Sequence, residues 1–317
     1  MFCRFLGPFV KAEFVKYYLD RIAQINEQSY NSNIKIDIEI GCPIAEIGSA
    51  SKVQKEDHKY RIYPIKVTTR TGCIFLCDKC IVTVPLGVLK ARELTFRDAY
   101  KIPPETQEAI DTINMFSGMK AHMILKCGID VERIPKLMKY TELFFCPGEI
   151  FSQVWLRRNE ETVFLTGFCV ANCRDQLISL LPSNGNGGEE SKSELAQDLL
   201  LQQLQRIFEP SNSEDKVFLN PTSPTCSSFA LHDWSEDEFT LGIYSSPSVG
   251  SGWKQVHTET DGQDVTLITH RDCLAKPIKN DIWFAGEHVN TTTCATVQSA
   301  MESGARAAKE VFQALEP

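Results

Sequence analysis

The chain of 317 residues is 43% hydrophobic and 23% charged, with a formal net charge of −8. This composition is typical of a globular protein with one large domain or two smaller ones, and the acidic balance argues against nonspecific binding to nucleic acid. No segment approaches the ~20 apolar residues that span a bilayer, and the N-terminus shows no convincing secretory signal. We therefore expect an intracellular protein of the cytoplasm or nucleus, whose 12 cysteines are reduced thiols.

Hydrophobic periodicity predicts one helix and then a series of strands in the N-terminal part of the chain. Apolar side chains recur at helical spacing in residues 8–26, and isoleucines alternate with charged residues in residues 34–40, as in a half-buried strand. Thr71-Gly72 predicts a hairpin turn. Further strands are predicted near Ile44 and Ile47, over residues 63–67, 73–77 and 81–84, the last ending in a tight turn at Pro85-Leu86-Gly87.

The middle of the chain predicts two helices and a sheet. A helix is expected over residues 103–113, because prolines and an acidic residue stand at its first turn. A second helix is expected over residues 194–208, after a polar, glycine-rich insertion at 182–190. Strands are predicted over residues 120–125, twice within 144–157 and over 163–168, and the rest up to Ile282 is expected to be irregular with short strands.

The most informative stretch lies near the C-terminus, where Trp283-Phe284-Ala285-Gly286-Glu287-His288 precedes a short polar loop and a helix. The helix is predicted from apolar residues spaced three or four apart, at Val297, Met301, Ala305 and Ala308. Gly286 lets the backbone approach a ligand closely, and the unpaired amides at a helix start favour an electron-rich oxygen. Strand, Gly-Glu, loop and helix together predict a site for a large anionic cofactor.

At these residues, and at 81–90, the chain resembles the flavin-containing amine oxidases, closest to the polyamine oxidase and lysine-specific histone demethylase branches. The resemblance implies an α/β fold, in which an incomplete, Rossmann-like FAD-binding domain carries an inserted α+β substrate domain of mixed sheet and helices. The implied division assigns residues 1–30 to a helical segment of the substrate domain, 31–100 and 278–317 to the FAD-binding domain, and 101–277 to the substrate domain.

The resemblance also implies which residues contact FAD. The Gly286-Glu287 pair would contact the diphosphate and ribitol, and the helix start at Thr296 and Val297 would face the flavin pyrimidine. Ile243 stands where monoamine oxidases carry the cysteine that is joined to flavin, so FAD should be noncovalent here. The remaining implied contacts are Pro43 and Ile44, with backbone against the adenine, and Trp234, in a segment beside the flavin.

Three residues are implied in handling the amine. Lys120 stands where the family holds a lysine that hydrogen-bonds through a water to flavin N5, a geometry suited to proton handling. Tyr244 would form one wall of an aromatic cage around the substrate amine, and Thr296 replaces the second aromatic wall. The residues alone favour a lysine that extends from a strand end at Lys120 and a packed strand tyrosine at Tyr244, so both roles rest on the resemblance.

The reaction implied is oxidation of a polyamine or an N-methyl-lysine peptide with peroxide production, without a direct nucleic-acid or membrane partner. The chain nevertheless contains no Gly-x-Gly-x-x-Gly unit of the kind that opens this family's FAD domain. A non-catalytic fragment or scaffold therefore stays an alternative.

A more remote alternative is an iron–sulfur protein. Cys73, Cys77 and Cys80 have the C-x3-C-x2-C spacing that holds such a cluster. Their flanking residues predict strands rather than an irregular cluster loop.

Overall fold

The fold is known from a computed structural model, which describes residues 36–50, 53–54, 60–61, 63–126, 142–145, 147–158, 162–181, 189–208, 226–247, 254–257 and 265–315. The chain divides into two compact units: residues 1–114 with 245–317, and residues 115–244. The helix expected at residues 8–26 lies outside the described residues. None of the helices in the described ranges is long and apolar enough to cross a membrane.

The first unit contains a four-stranded sheet. From one edge to the other, its strands are β5 (Ile74–Cys77), β4 (Ile65–Thr69), β1 (Ile44–Ser49) and β7 (Thr95–Phe96). Strands β1 and β4 are antiparallel, with Ile47 opposite Val67, whereas β7 runs parallel to β1. The hairpin turn predicted at Thr71-Gly72 is confirmed, since the Gly72 N–H donates to the Thr69 carbonyl at 3.0 Å. A small separate hairpin consists of β2 (Val53–Gln54) and β3 (Tyr60–Arg61).

A second, parallel pair in this unit supports the C-terminal motif. Strand β6 (Cys80–Val82) pairs with β17 (Ile282–Phe284), with Cys80 opposite Ile282. The three residues of β17 are buried, as is Val82, so the predicted buried parallel strand is confirmed. The chain after Pro85 forms a short helix, α1 (Leu86–Lys90), rather than only the tight turn expected there. Elsewhere in the unit, β15 (Lys254–His257) pairs antiparallel with β16 (Val265–Ile268).

Four more helical segments belong to the first unit: a 3₁₀ turn (Asp98–Tyr100), α2 (Pro104–Thr112), α5 (His270–Ala275) and α6 (Val297–Leu315). The predicted helix over residues 103–113 corresponds to α2. Its last carbonyls, which have no partner within the helix, accept from the Lys90 ammonium at 3.0 Å for Ile110 and 2.7 Å for Asp111.

The second unit contains a five-stranded antiparallel sheet. From one edge to the other, its strands are β10 (Glu142–Phe145), β11 (Gln153–Arg158), β12 (Thr162–Val170), β9 (Gly118–Lys126) and β13 (Cys226–Asp233). Along β9 the side chains alternate: Met119, Ala121 and Met123 are buried, and Lys120 and His122 belong to the opposite face. The core on the buried face includes residues of two helices, such as Leu177 and Leu200. These two helices are α3 (Asn172–Ser179) and α4 (Glu189–Phe208).

Two short strands, β8 (Asn114–Phe116) and β14 (Tyr244–Ser246), lie at the chain positions where one unit passes into the other. The domain boundaries inferred from sequence stay predictions.

Parts of the sequence-based description were wrong. Residues 36–40 of the strand predicted over 34–40 are not in a strand, and the Ile40 side chain is 80% exposed. Alternation marks one apolar face but does not supply a neighbouring strand to pair with. The region expected to be irregular contains the eight-residue strand β13 and the helix α5, and α3 was not predicted at all.

Candidate cofactor and substrate sites

The loop after β17 has a backbone that only glycine adopts without strain. Gly286 has φ +152°, and a Cβ placed there would lie 2.5 Å from Cε1 of His288. The Ser303 hydroxyl on α6 accepts the Gly286 N–H at 2.8 Å and lies 2.8 Å from the Gly286 carbonyl. The loop is thus held against the helix through one serine.

The Glu287 carboxylate organises the chain around this loop. Its Oε1 accepts the Ser245 N–H at 3.0 Å, while Oε2 accepts the Ser245 hydroxyl at 2.7 Å and the Ala295 N–H at 2.9 Å. A carboxylate offers about four lone-pair positions, so these three bonds leave capacity for one further donor. The side chain therefore joins β14 and the segment before α6, and its bonds within the described part of the chain leave one acceptor position open.

A buried arginine that the sequence analysis missed completes this network. The Arg271 side chain belongs to a residue only 8% exposed, and it donates to the Ser245 hydroxyl at 2.9 Å and to the Glu287 carbonyl at 3.1 Å. Helix α5, which carries Arg271, is fixed by a reciprocal capping box between Thr269 and Asp272. The one sequence signal for Arg271 is its place as the second residue of that helix, between Thr269 and Asp272.

His288 lies beneath Gly286 as a neutral ring. Burial lowers its pKa to about 4, although the Glu287 charge opposes this effect. Its Nε2 is a buried atom without a hydrogen-bond partner among the described residues.

The start of α6 offers free backbone donors. Thr296 and Ser299 bond reciprocally, with the Ser299 N–H donating to the Thr296 hydroxyl at 3.1 Å. Among the described residues, the N–H groups of Val297 and Gln298 have no acceptor, and the Val297 side chain is 70% exposed. A helix start of this kind attracts electron-rich oxygen atoms.

Pro43 and Ile44 lie at the beginning of β1. The Pro43 carbonyl accepts the Arg70 N–H at 2.7 Å, and Ile44 pairs with Thr69. Both residues are half-buried, and their hydrogen bonds are to β4 and the turn after it. The adenine contact expected of them stays a prediction.

In the second unit, Lys120 is a half-buried cation. Its Nζ lies 5.2 Å from the centroid of the Phe168 ring, its neighbour across the sheet. Burial lowers the pKa of Lys120, and no carboxylate forms an ion pair with it among the described residues. Burial and the nearby Lys120 charge also lower the pKa of His122, two residues further along β9.

An aromatic cluster joins Lys120 to Tyr244. The Tyr244 ring packs edge-on against Phe116, with centroids 5.5 Å apart, and lies 6.4 Å from the Phe168 ring. Burial raises the pKa of the Tyr244 hydroxyl. The structure therefore brings together the predicted residues Lys120 and Tyr244 through Phe168, and adds Phe116, which sequence reasoning did not single out.

Trp234 closes a loop at the end of β13. Its N–H donates to the Gly118 carbonyl at 3.1 Å, and its own carbonyl accepts the Gly242 N–H at 2.9 Å. The indole ring packs edge-on against His232, with centroids 4.2 Å apart. Trp234 thus fixes the segment that leads to Ile243 and Tyr244.

The cysteine spacing does not produce a cluster site in the described part of the chain, where no group of three His, Cys, Asp or Glu side chains could hold a metal ion. Cys77 and Cys80 are half-buried, whereas Cys73 is exposed and its sulfur accepts from the Thr71 hydroxyl at 3.8 Å.

Comparison with known proteins agrees with the predicted resemblance. The sequence profile of the flavin containing amine oxidoreductases matches residues 20–312. The chain is 27% identical over 240 residues to lysine-specific histone demethylase 1 homolog 1 of Arabidopsis thaliana, covering 75% of this chain and 24% of that protein. It is 26% identical over 285 residues to the human peroxisomal N(1)-acetyl-spermine/spermidine oxidase, covering 87% of this chain and 50% of that protein.

The fold agrees as well. A solved structure of putrescine oxidase with bound putrescine aligns with a TM-score of 0.59 and 15% identity, covering 87% of this chain and 49% of that one. The predicted α/β fold is therefore confirmed. The chain spans about half the length, or less, of the relatives it matches. The chain belongs to the family of flavin containing amine oxidoreductases.

Proposed function

We propose that the chain is the C-terminal part of an FAD-dependent amine oxidase that binds its flavin noncovalently and acts on a polyamine or an N-methyl-lysine peptide. The observation that carries this proposal is the Gly286-Glu287 loop, whose carboxylate is held by Ser245 and Ala295 in a chain of a flavin-dependent family.

The residues of the loop fit a flavin nucleotide. Gly286 lets the chain pass closely over the His288 ring, and the next residue, Glu287, keeps one acceptor position for a hydroxyl such as those of ribitol. The Val297 N–H would donate to an oxygen of the flavin pyrimidine, with Thr296 beside it. When bound, FAD would accept hydride from the carbon next to the amine nitrogen and pass electrons to oxygen, giving peroxide. The adenine contact is proposed for Pro43 and Ile44.

The second unit supplies the groups that handle the amine. The Tyr244 ring, fixed by Phe116 and Phe168, would present its face to the substrate nitrogen and limit its direction of approach. Lys120 is supported as the group that positions a water, because it has no carboxylate partner in the described residues and burial lowers its pKa. Trp234 holds the segment that carries Tyr244.

The flavin is proposed to be noncovalent because Ile243 offers no sulfur for a thioether. Acid or denaturant should therefore release free FAD from the loaded protein, with no flavin on the polypeptide. Flavin that stays on the denatured chain would contradict this point without affecting the rest of the proposal.

Anaerobic reduction of the loaded protein tests the proposed activity. The longest protein that the gene encodes is mixed with spermine, an acetylated polyamine or a dimethyl-lysine peptide, and bleaching of the flavin absorbance is followed. Bleaching by one of these amines, followed by peroxide release in air, supports the proposal. The Tyr244→Ala variant should lose amine binding, whereas the Tyr63→Phe control should keep it. A loaded protein that no amine bleaches would favour the scaffold alternative.

A further inference from the structure

A pair of cysteines stands outside the proposed cofactor and substrate sites. Cys77 ends β5 and Cys80 begins β6, so Asp78 and Lys79 alone separate them. Both residues are half-buried. The Cys-x-x-Cys spacing is the one that dithiol–disulfide oxidoreductases use. The pair thus combines a redox spacing with two half-buried thiols on either side of one short connection.

The turn between the two cysteines is held at several points. The Lys79 ammonium donates to the Asp281 carboxylate at 2.9 Å and to the Asn280 carbonyl at 2.8 Å, while the Cys80 N–H donates to the Asp281 carbonyl at 2.9 Å. The Tyr100 hydroxyl donates to the same carboxylate at 2.9 Å. Because these bonds fix the connection between the two cysteines, little backbone conformational entropy is lost when their sulfurs react with each other.

The local chemistry favours reaction at Cys77. The hydrogen bond from the Cys80 thiol lowers the pKa of Cys77, against the opposing effects of burial and of the Asp78 charge. The thiolate is the form of cysteine that attacks peroxide. Cys77 is therefore the more reactive sulfur of the pair, and Cys80 is placed to react with its oxidised product.

We propose that Cys77 and Cys80 are a redox dithiol that hydrogen peroxide closes into a disulfide. The Cys77 thiolate attacks one peroxide oxygen, the O–O bond breaks, and hydroxide leaves with a proton as water. The resulting sulfenic acid is attacked by the Cys80 thiolate, the S–S bond forms, and the second oxygen leaves as water. Two thiols are oxidised and one peroxide is reduced to two waters, so atoms and electrons balance.

The disulfide would couple two parts of the first unit. Strand β5 belongs to the four-stranded sheet, and β6 pairs with β17, which leads into Gly286. Closing the pair would tie these sheets together at one point. The proposed oxidase would itself produce peroxide, but the dithiol reaction requires only peroxide from any source.

Peptide mapping of the 317-residue chain tests the proposal. The reduced, native protein is treated with hydrogen peroxide, remaining thiols are alkylated in denaturant, and the chain is cut with trypsin. Residues 71–79 and 80–90 then fall on separate peptides. We expect them to be joined, with a mass two hydrogens below their sum, and to separate again with a dithiol reductant.

Three variants identify the bond. Cys73→Ser should keep the cross-link, because Cys73 is outside the pair. Cys77→Ser and Cys80→Ser should each abolish it, and Cys80→Ser should leave a sulfenic acid on Cys77 that a dimedone-type reagent traps. In the wild-type map, fragmentation of the joined peptides shows whether Cys73 or Cys77 carries the bond, so the test stands if a substitution prevents folding. Peroxide that joins Cys73 to either partner, or that oxidises Cys73 while both other thiols stay free, would overturn the proposal.

Discussion

Arg271 and Glu287 are joined through a single hydroxyl, that of Ser245. The buried guanidinium donates to this oxygen at 2.9 Å, and the hydroxyl donates its proton to the Glu287 carboxylate at 2.7 Å. Arg271 also donates to the Glu287 carbonyl. The side chain and the main chain of Glu287 are thus fixed from one cation, and the acidic residue of the Gly-Glu pair is preorganised by residues far from it in sequence.

Removing the cation should destabilise the first unit. Arg271→Met leaves the Glu287 carbonyl and one lone pair of Ser245 without a donor in a buried place, which costs about 1–3 kcal/mol of unfolding free energy. Urea unfolding followed by fluorescence measures it. Lys309→Met removes an exposed cation from α6 and should change stability by less than about 0.5 kcal/mol. Equal effects of the two substitutions would contradict the assigned network.

A methyl group at Gly286 should be poorly tolerated. Gly286→Ala would strain a residue at φ +152° and bring its Cβ within 2.5 Å of the His288 ring, so we expect a loss of about 1–3 kcal/mol. Gly304→Ala is the matched control, because it lies in α6 with open space at the Cβ position. That change should stabilise the helix by about 1 kcal/mol. Opposite signs are expected in thermal unfolding, and a neutral Gly286→Ala would disprove the close approach.

The sequence predicted what depends on local pattern. The strand–Gly-Glu–helix motif lies within some 35 residues, and the alternation along β9 separates Met119 and Met123 from Lys120. Contacts between distant residues could not be predicted in this way. Ser245 bonds to Glu287 across 42 positions of the chain, and Arg271 bonds to Glu287 across 16 positions. Hydrophobic periodicity in the sequence does not indicate such pairs. The strand expected over residues 34–40 failed for a related reason, since alternation does not specify a partner strand.

His288 should make stability sensitive to mild acid. Burial lowers its pKa from 6.5 to about 4, so the unfolded chain binds a proton at a higher pH than the folded chain does. The contribution is complete above about pH 6.5 and is lost as the pH falls toward 4, amounting to roughly 3 kcal/mol. His288→Phe should remove this part of the pH dependence, measured as the difference from wild type in denaturant unfolding between pH 7 and 4. His270→Phe, at a half-buried position, should leave it in place.

Lys120 is expected to trade stability for activity. Burial lowers its pKa below 10.5, so the folded state releases the proton first and stability rises with pH until the unfolded lysine also titrates. Lys120→Met should therefore be more stable than wild type at pH 7, with the advantage shrinking at alkaline pH. In a flavin-loaded protein the same change should slow reoxidation on the order of 10²-fold while FAD affinity changes little.

The control for this prediction is Lys101→Met, since Lys101 is exposed. It should alter neither the pH profile nor the oxidative half-reaction in stopped-flow measurements. If Lys120→Met left the reoxidation rate unchanged, the water-positioning role would be rejected even if the stability gain were observed.

The 317 residues on their own should bind FAD weakly. The Glu287 acceptor and the Val297 and Gln298 amides offer only a few contacts, each worth about 1–3 kcal/mol when charge-assisted. Association costs an estimated ~4–15 kcal/mol. The chain contains no Gly-x-Gly-x-x-Gly unit, which in this class of fold provides the main grip on the diphosphate. We expect the purified 317-residue chain to be colourless, to quench flavin fluorescence little when FAD is titrated, and to give no peroxide from spermine. The longest protein that the gene encodes is measured in the same way for comparison. A yellow, monomeric 317-residue protein that oxidises spermine would show that other residues of this chain hold the diphosphate.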